Sequence, residues 1–342
     1  MTAHTPLLKA IMRGDALTRA EAGELMDCVM AGDVDDASFG AILVTLHARG
    51  ETVEELAGFA QSMRRHVRAA PAPADAVDTC GTGGDGADTF NVSTCAAFVV
   101  AGAGATVAKH GNRAVSSSCG SADVLEALGG RLEATPEQVG ETLARARFAF
   151  LFAPAFHPSM RHAAAPRRSM GVRTAFNFLG PITNPAGVRR QVVGVSDPAM
   201  AERIAQVLQL LGVERALVVH GMDGLDELSI AAPSVVYDVT ADGIARTEVA
   251  PELVGLERAP IEAIRGGDAR CNAQILRGVL AGQIEGAPRD VVLLNAAAGL
   301  VAAGLAGDVA HGVELGREAI DGGAALDQLE RWIATADAEV AA

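Results

Sequence analysis

The chain has 342 residues, of which 49% are hydrophobic, and a formal net charge of −14, which suits a large folded domain with a smaller companion and excludes a disordered chain. The acidity argues against nonspecific binding to nucleic acid or to an anionic membrane. The longest weakly polar run, residues 95–108, falls short of the roughly 20 apolar residues that cross a bilayer, and the first residues lack the ordered regions of a signal peptide, so a cytoplasmic protein is expected.

Residues 1–70 predict about four short helices and no strand, since Thr18 with Glu21 and Thr52 with Glu55 fit the capping box. Between them Phe39, Ile42, Leu43 and Leu46 fall at helical spacing. Pro71 and Pro73 mark a boundary. A helical domain is therefore expected over 1–70 and an α/β domain over 71–342, with later helices free to join the first. The second part reads as a strand at 76–80, a helix at 92–102, a buried strand at 105–109, helices at 122–128 and 136–146, and a strand at 148–152. Strands at 191–195 and 216–220 flank an amphipathic helix at 199–211, and 235–239 with 244–249 read as an antiparallel excursion around Asp242 and Gly243. Helices at 272–281, 290–303 and 315–336 close the chain. Strands alternating with helices imply an α/β fold with a mostly parallel sheet.

The stretch 79–123 carries the chemistry in two polar loops joined by an apolar segment. The first is GTGGDG, residues 81–86, whose glycines allow positive φ and bring N–H groups close to phosphate oxygens ahead of a helix N-terminus. Gly81, Gly83 and Gly86 satisfy G-x-G-x-x-G, but the helix starts near Val92 and no acid lies between Asp88 and Asp123, so a dinucleotide site is not expected. Asp85 would repel phosphate unless it meets a metal, a ribose hydroxyl or backbone N–H groups. Asn91, Ser93 and Thr94 supply short polar groups at the helix start, where Ser93 reads equally as a cap. In the second loop stand Lys109, His110, Asn112, Arg113, Ser116, Ser117 and Ser118. Only two of the 28 basic side chains are lysines, Lys9 and Lys109, which suggests that a compact ammonium is needed at 109. His110 reads either as a general base or as a wall of the site. Together the two loops suit a doubly phosphorylated, metal-bound sugar.

Further on, 142–196 holds eight arginines and no acid, a cationic island fit for a small anion. Within it Arg167 and Arg168 follow a proline, and an arginine fork suits a carboxylate. HGMDGLDELS delivers Asp226 and Glu227 side by side on a loop, a pair that suits Mg²⁺. The five cysteines lie far apart with no C-x-x-C, so neither zinc nor disulfides are indicated, and Cys119 reads as a small buried thiol. His157, His162 and His220 read as packing residues.

In this order, GTGGD, NVST, KHGNRAVSS, GSADVLEALG, the HP(x)MRH…RR…G.RT.FN.LGP.TNP block and DELS resemble the anthranilate phosphoribosyltransferase family across nearly the whole chain. The resemblance implies a small helical domain, a larger α/β domain, phosphoribosyl diphosphate in the cleft between them, and a homodimer joined through the helical part. It implies transfer of the 5-phosphoribosyl group to the amine of anthranilate with release of diphosphate, in tryptophan biosynthesis. It assigns Gly81, Gly84, Asp85, Thr89, Asn91, Val92, Ser93, Thr94, Lys109, His110, Gly111, Asn112, Arg113, Ala114, Val115, Ser116, Ser117 and Ser121 to phosphoribosyl diphosphate. Gly81, Asn112 and Arg167 are assigned to anthranilate, and Ser93, Asp226 and Glu227 to Mg²⁺. No side chain is singled out as catalytic beyond the candidates Lys109 and His110. Ser118 stands where many relatives carry Lys or Arg.

Overall fold

The structure, a computed structural model, describes residues 4–114 and 118–338. Both N-terminal capping boxes form: Thr18 accepts from the Glu21 N–H while the Glu21 carboxylate accepts from the Thr18 N–H, and Thr52 with Glu55 does the same. They open the helices Arg19–Ala31 and Val53–Arg65, which stand beside Thr5–Met12 and Asp36–Arg49. Phe39, Ile42, Leu43 and Leu46 point inward together, as their spacing predicts.

Seven strands follow: β1 (Val77–Asp78), β2 (Val107–Gly111), β3 (Phe148–Phe152), β4 (Arg190–Gly194), β5 (Arg215–Gly221), β6 (Ser234–Thr240) and β7 (Gly243–Val249). Their order is β3-β2-β1-β4-β5-β6-β7. The first five are parallel, and β6 and β7 add an antiparallel edge. β2 and β4 lie on opposite sides of β1, so the order reverses at β1, and crevices outside strand ends at such a point receive ligands.

Successive strand residues serve opposite faces. Val192, Leu217 and Val219 pack on one side with the Val92–Gly102 helix and the C-terminal helices, while Val193, Ala216 and Val218 pack on the other with the N-terminal helices and Pro198–Leu210. Two segments from the middle of the chain, Arg161–Met170 and Ala175–Leu179, also join the N-terminal helices, where Phe176 meets Phe39 edge-on at 5.5 Å. Arg64 Nε donates to the Ile182 carbonyl at 2.9 Å and fixes the same junction.

Two sequence expectations need correction. The single helix expected over 315–336 is two, Val309–Asp321 and Ala324–Ala338. Between them Gly322 and Gly323 break the ladder, Gly323 with φ +76°. The strand expected over 76–80 is only two residues long, because Thr79 and Cys80 already belong to the glycine turn. The arginine segment contains the helix Arg161–Met170, which holds Pro166 within it.

Candidate active site

Beyond β1 the chain turns through Gly83, Gly84 and Gly86 at φ +66°, +80° and +70°, a left-handed path open to glycine at little cost. Distant segments hold it. Thr82 N donates to the Gly194 carbonyl at 2.8 Å, and Gly83 N donates to Asp226 Oδ2 at 2.5 Å. Arg173 Nη1 donates to the Gly83 carbonyl at 2.8 Å. A Cβ on Gly81 would stand 2.8 Å from Asp226 Oδ2, so glycine is what lets the turn approach that carboxylate. Of the partners open to Asp85, the structure provides backbone N–H groups, Ala87 N donating to Oδ1 at 3.1 Å and Asp226 N to Oδ2 at 3.5 Å. Thr89 makes a bridge to Arg265.

The helix Val92–Gly102 starts at Asn91, which makes no side-chain cap. Its Nδ2 donates instead to the Cys119 carbonyl at 3.1 Å, and its Oδ1 accepts from Asn272 Nδ2 at 3.0 Å. Ser93 is not the cap either; its N–H donates to Glu227 Oε1 at 3.1 Å. Val92 and Thr94 are buried. Opposite, in the middle of β2, the side chain of Lys109 is buried, and Nζ donates to the Thr79 carbonyl at 2.8 Å, to Thr79 Oγ1 at 3.2 Å and to Ser93 Oγ at 3.4 Å. The one lysine of the α/β part therefore joins the start of the glycine turn to the helix start, a place for three tetrahedral donors on one ammonium.

Asp226 and Glu227 thus bracket the glycine turn and the helix N-terminus, each accepting from a backbone N–H of one of them. Their loop is fixed from behind: Leu228 N donates to Asn295 Oδ1 at 2.8 Å and Asn295 Nδ2 donates to the Leu228 carbonyl at 2.9 Å. Both carboxylates keep part of their surface open, yet enough protein surrounds them that desolvation dominates their titration. Burial, then Glu227 and Asp85 beside it, raises Asp226 well above the carboxylate range. Burial raises Glu227 to about 7 against the opposing pull of Lys109. Crowded carboxylates left short of positive charge, with hard oxygen donors and the Ser93 hydroxyl nearby, fit a small hard cation. Among the described residues no group of three or more His, Cys, Asp and Glu forms a larger cage.

His110 is held at both ring nitrogens. Nδ1 lies 3.1 Å from the Gly180 carbonyl, which can only accept, so Nδ1 carries the proton in the neutral ring. Nε2 then accepts from His157 Nε2 at 3.2 Å. Burial, with His157 next, lowers His110 to about 3, and burial lowers His157 to about 4. This geometry makes His110 a neutral wall whose lone pair is already used. His220 is buried with Nδ1 2.8 Å from the Val195 carbonyl.

The second loop folds on itself. Gly111 has no room for a Cβ beside Ser121 Oγ, and Ser121 Oγ donates to the Asn112 carbonyl at 3.2 Å. Arg113 Nη1 bonds Asp123 at 3.0 Å and Glu126 at 2.9 Å, which turns its charge toward the following helix. Ala114 N donates to Asp123 Oδ2 at 3.0 Å. Ser118 Oγ donates to the Gly267 carbonyl at 3.1 Å, and Cys119 is buried with its thiol raised to about 11, mainly by desolvation. Val115, Ser116 and Ser117 lie outside the described residues. Arg167 stands apart, its guanidinium 5.1 Å over the Phe176 ring and pulled below the usual arginine value by burial. No hydrogen bond among the described residues joins it to Asn112.

Sequence reasoning passed over Thr79, Arg173, Asn272 and Asn295. Arg173 alone carried a signal, its place in the acid-free arginine island.

Residues 5–67 match the glycosyl transferase family, helical bundle domain, and residues 73–326 match the glycosyl transferase family, a/b domain. Fold and site thus define a two-part glycosyl transferase. The chain is 52% identical over 333 residues to the anthranilate phosphoribosyltransferase of Chloroflexus aggregans, covering 97% of this chain and 98% of that one. It resembles the crystal structure of anthranilate phosphoribosyltransferase from Thermus thermophilus with a TM-score of 0.92 at 46% identity, over 96% of this chain and 99% of that one. The enzyme from Saccharomyces cerevisiae, solved in complex with PRPP and Mg, gives a TM-score of 0.89 at 27% identity over 97% of both chains. The chain belongs to the anthranilate phosphoribosyltransferase family.

Proposed function

We infer that the chain transfers the 5-phosphoribosyl group from 5-phosphoribosyl 1-diphosphate to the amine of anthranilate, giving N-(5-phosphoribosyl)anthranilate and diphosphate, a step of tryptophan biosynthesis. The observation that carries this reading is the bracketing of the glycine turn and the helix N-terminus by Asp226 and Glu227, at 2.5 Å from Gly83 N and 3.1 Å from Ser93 N. Backbone donors, a buried ammonium and a crowded carboxylate pair suit a phosphate ligand that arrives with its own cation.

Displacement at the anomeric carbon passes through an oxocarbenium-like state, so the departing diphosphate accumulates charge. The turn from Gly81 to Asp85, with Thr89 and the helix start from Asn91 to Thr94, is assigned to that group, where the helix N-terminus favours negative charge while Asp226 and Glu227 hold the Gly83 and Ser93 N–H groups in place. Lys109 supplies positive charge at the same point. Ser93, Asp226 and Glu227 would hold Mg²⁺, which when bound offsets the charge of the leaving group. His110 walls the sugar, and Gly111 to Ala114 with Ser121 are assigned to its phosphate, as are Val115, Ser116 and Ser117, which lie outside the described residues. Gly81, Asn112 and Arg167 receive anthranilate, Arg167 through the carboxylate. The amine is a neutral nucleophile that needs placement more than deprotonation, so proximity carries much of the rate. No covalent intermediate is required.

The helical part, taken as residues 1–70 with the later helices that pack on it, is assigned to contact between two copies, the α/β part, 71–342, to catalysis, and the enzyme to the cytoplasm. Anthranilate fluorescence is expected to disappear only when phosphoribosyl diphosphate and Mg²⁺ are both supplied. Consumption of thymidine plus phosphate instead would replace this reading with that of a nucleoside phosphorylase.

A further inference from the structure

Arg173 sits in a link whose two ends the sequence fixes. Gly171, at φ +64°, ends the helix Arg161–Met170 in the left-handed region, and Thr174, whose N–H donates to Asn177 Oδ1 at 2.9 Å, opens Ala175–Leu179. The short link sends the Arg173 side chain across to the glycine turn. There Nη1 donates to the Gly83 carbonyl at 2.8 Å, while the guanidinium lies 5.3 Å over the Phe178 ring. A Cβ on Gly84 would stand 1.6 Å from Nη1 and 3.4 Å from Nη2. Glycine at 84 is thus required for the arginine to lie against the turn.

Arg173 makes no ion pair among the described residues, although the chain holds 42 acids against 28 bases. Its Nη2 is buried with no hydrogen-bond partner. A guanidinium placed only for structure spends its donors on carbonyls and carboxylates; a buried N–H left without an acceptor is costly until something supplies one. The vacant donor lies beside Gly84, within the turn that receives the phosphate ligand.

We propose that Arg173 is a further donor-site residue: Nη1 holds the glycine turn through the Gly83 carbonyl, and Nη2 donates to an anionic oxygen of the ligand in that turn. The proposal rests on the phosphoribosyl diphosphate reading of the site. It adds a cation from the arginine segment to a donor site otherwise built from the glycine turn, β2 with the loop after it, the Val92–Gly102 helix and the loop that carries Asp226 and Glu227.

The test is calorimetric titration with phosphoribosyl diphosphate and Mg²⁺, without anthranilate, of the full chain and of Arg173→Ala, Arg173→Lys and Arg173→Gln, with thermal melting of each. Arg173→Ala is expected to lose about tenfold or more in donor affinity, the scale of one charge-assisted hydrogen bond. Arg173→Lys recovers part of the loss, because an ammonium keeps the charge. Arg173→Gln, which keeps a donor for the Gly83 carbonyl but no charge, stays near Arg173→Ala, and the KM for anthranilate moves less than the donor affinity in all three. Wild-type affinity in Arg173→Ala, or full recovery in Arg173→Gln, overturns the proposal. Should Arg173→Ala fail to fold, the Lys against Gln comparison decides. Turnover of the unsubstituted chain is measured in the same series: its absence removes the functional reading, whereas normal turnover with unchanged variants removes only the role of Arg173.

Discussion

The glycine turn is held by residues far along the chain, whereas the second loop is held chiefly by its neighbours. Gly83 is bonded to Arg173 and Asp226, 90 and 143 residues away, and Ser93 to Glu227, 134 residues away. Arg113 is bonded to Asp123 and Glu126, 10 and 13 residues on, and Ala114 to Asp123, 9 residues on. Even so the second loop is pinned outward at its far end, by Ser118 to Gly267 and Cys119 to Asn91. The turn exists because the whole α/β part has folded, whereas Arg113 and Ala114 of the second loop are held by charges of the helix that follows. Substitutions at the turn's partners should therefore damage the site more than substitutions within the second loop.

Replacing Asp226→Asn with Glu227→Gln gives the sharpest form of that contrast. It alters the acceptors of Gly83 and Ser93 together and removes the charge offered to a metal, so turnover should fall by about 10²-fold or more. Steady-state rates against Mg²⁺ concentration check this, and an unchanged Mg²⁺ dependence would remove the metal role. Arg167→Ala comes next, with anthranilate KM raised about tenfold by loss of a carboxylate partner. An effect seen only on phosphoribosyl diphosphate would move Arg167 to the donor side.

The histidine pair behind the site predicts a pH effect on stability. His110 and His157 are lowered from 6.5 to about 3 and about 4, so below their unfolded value the unfolded chain takes up protons that the fold refuses. Their contribution is complete above 6.5 and is lost as pH falls toward the folded values, at a slope of up to about 1.4 kcal/mol per pH unit for each group. Urea midpoints across that window should fall less steeply for His157→Phe, and an identical slope would mean that the imidazoles titrate as in water. The smallest effect is expected for Arg113→Ala, less than about threefold in donor KM, since its charge is already committed to exposed ion pairs. A tenfold rise would show those pairs opening for the ligand and would erase the contrast between the loops.

Local signals carried much of the fold. The helix at 92–102, the helix at 136–146 and the strand at 148–152 lie where pattern and caps place them. The mostly parallel sheet with its antiparallel edge was likewise legible from alternation and from the turn at Gly243. The break at Gly322 and Gly323 was hidden because apolar periodicity continues on both sides of it. At the site, motif and composition pointed to Lys109, Asp226 and Glu227, yet their partners were beyond local reading. Thr79, Asn272 and Asn295 are ordinary polar residues until tertiary folding sets each against a backbone group or an amide.

Asn295 grips both sides of Leu228 from 67 residues downstream, in the helix Ala287–Ala303. The ribosome therefore finishes the glycine turn, the helix start and even the carboxylate pair well before it makes the residue that braces that pair. A nascent chain that has reached only the middle of β7 owns every residue assigned to the donor but lacks the clamp behind Asp226 and Glu227. Binding competence should then arise late and abruptly during synthesis, once the C-terminal helices close over the sheet.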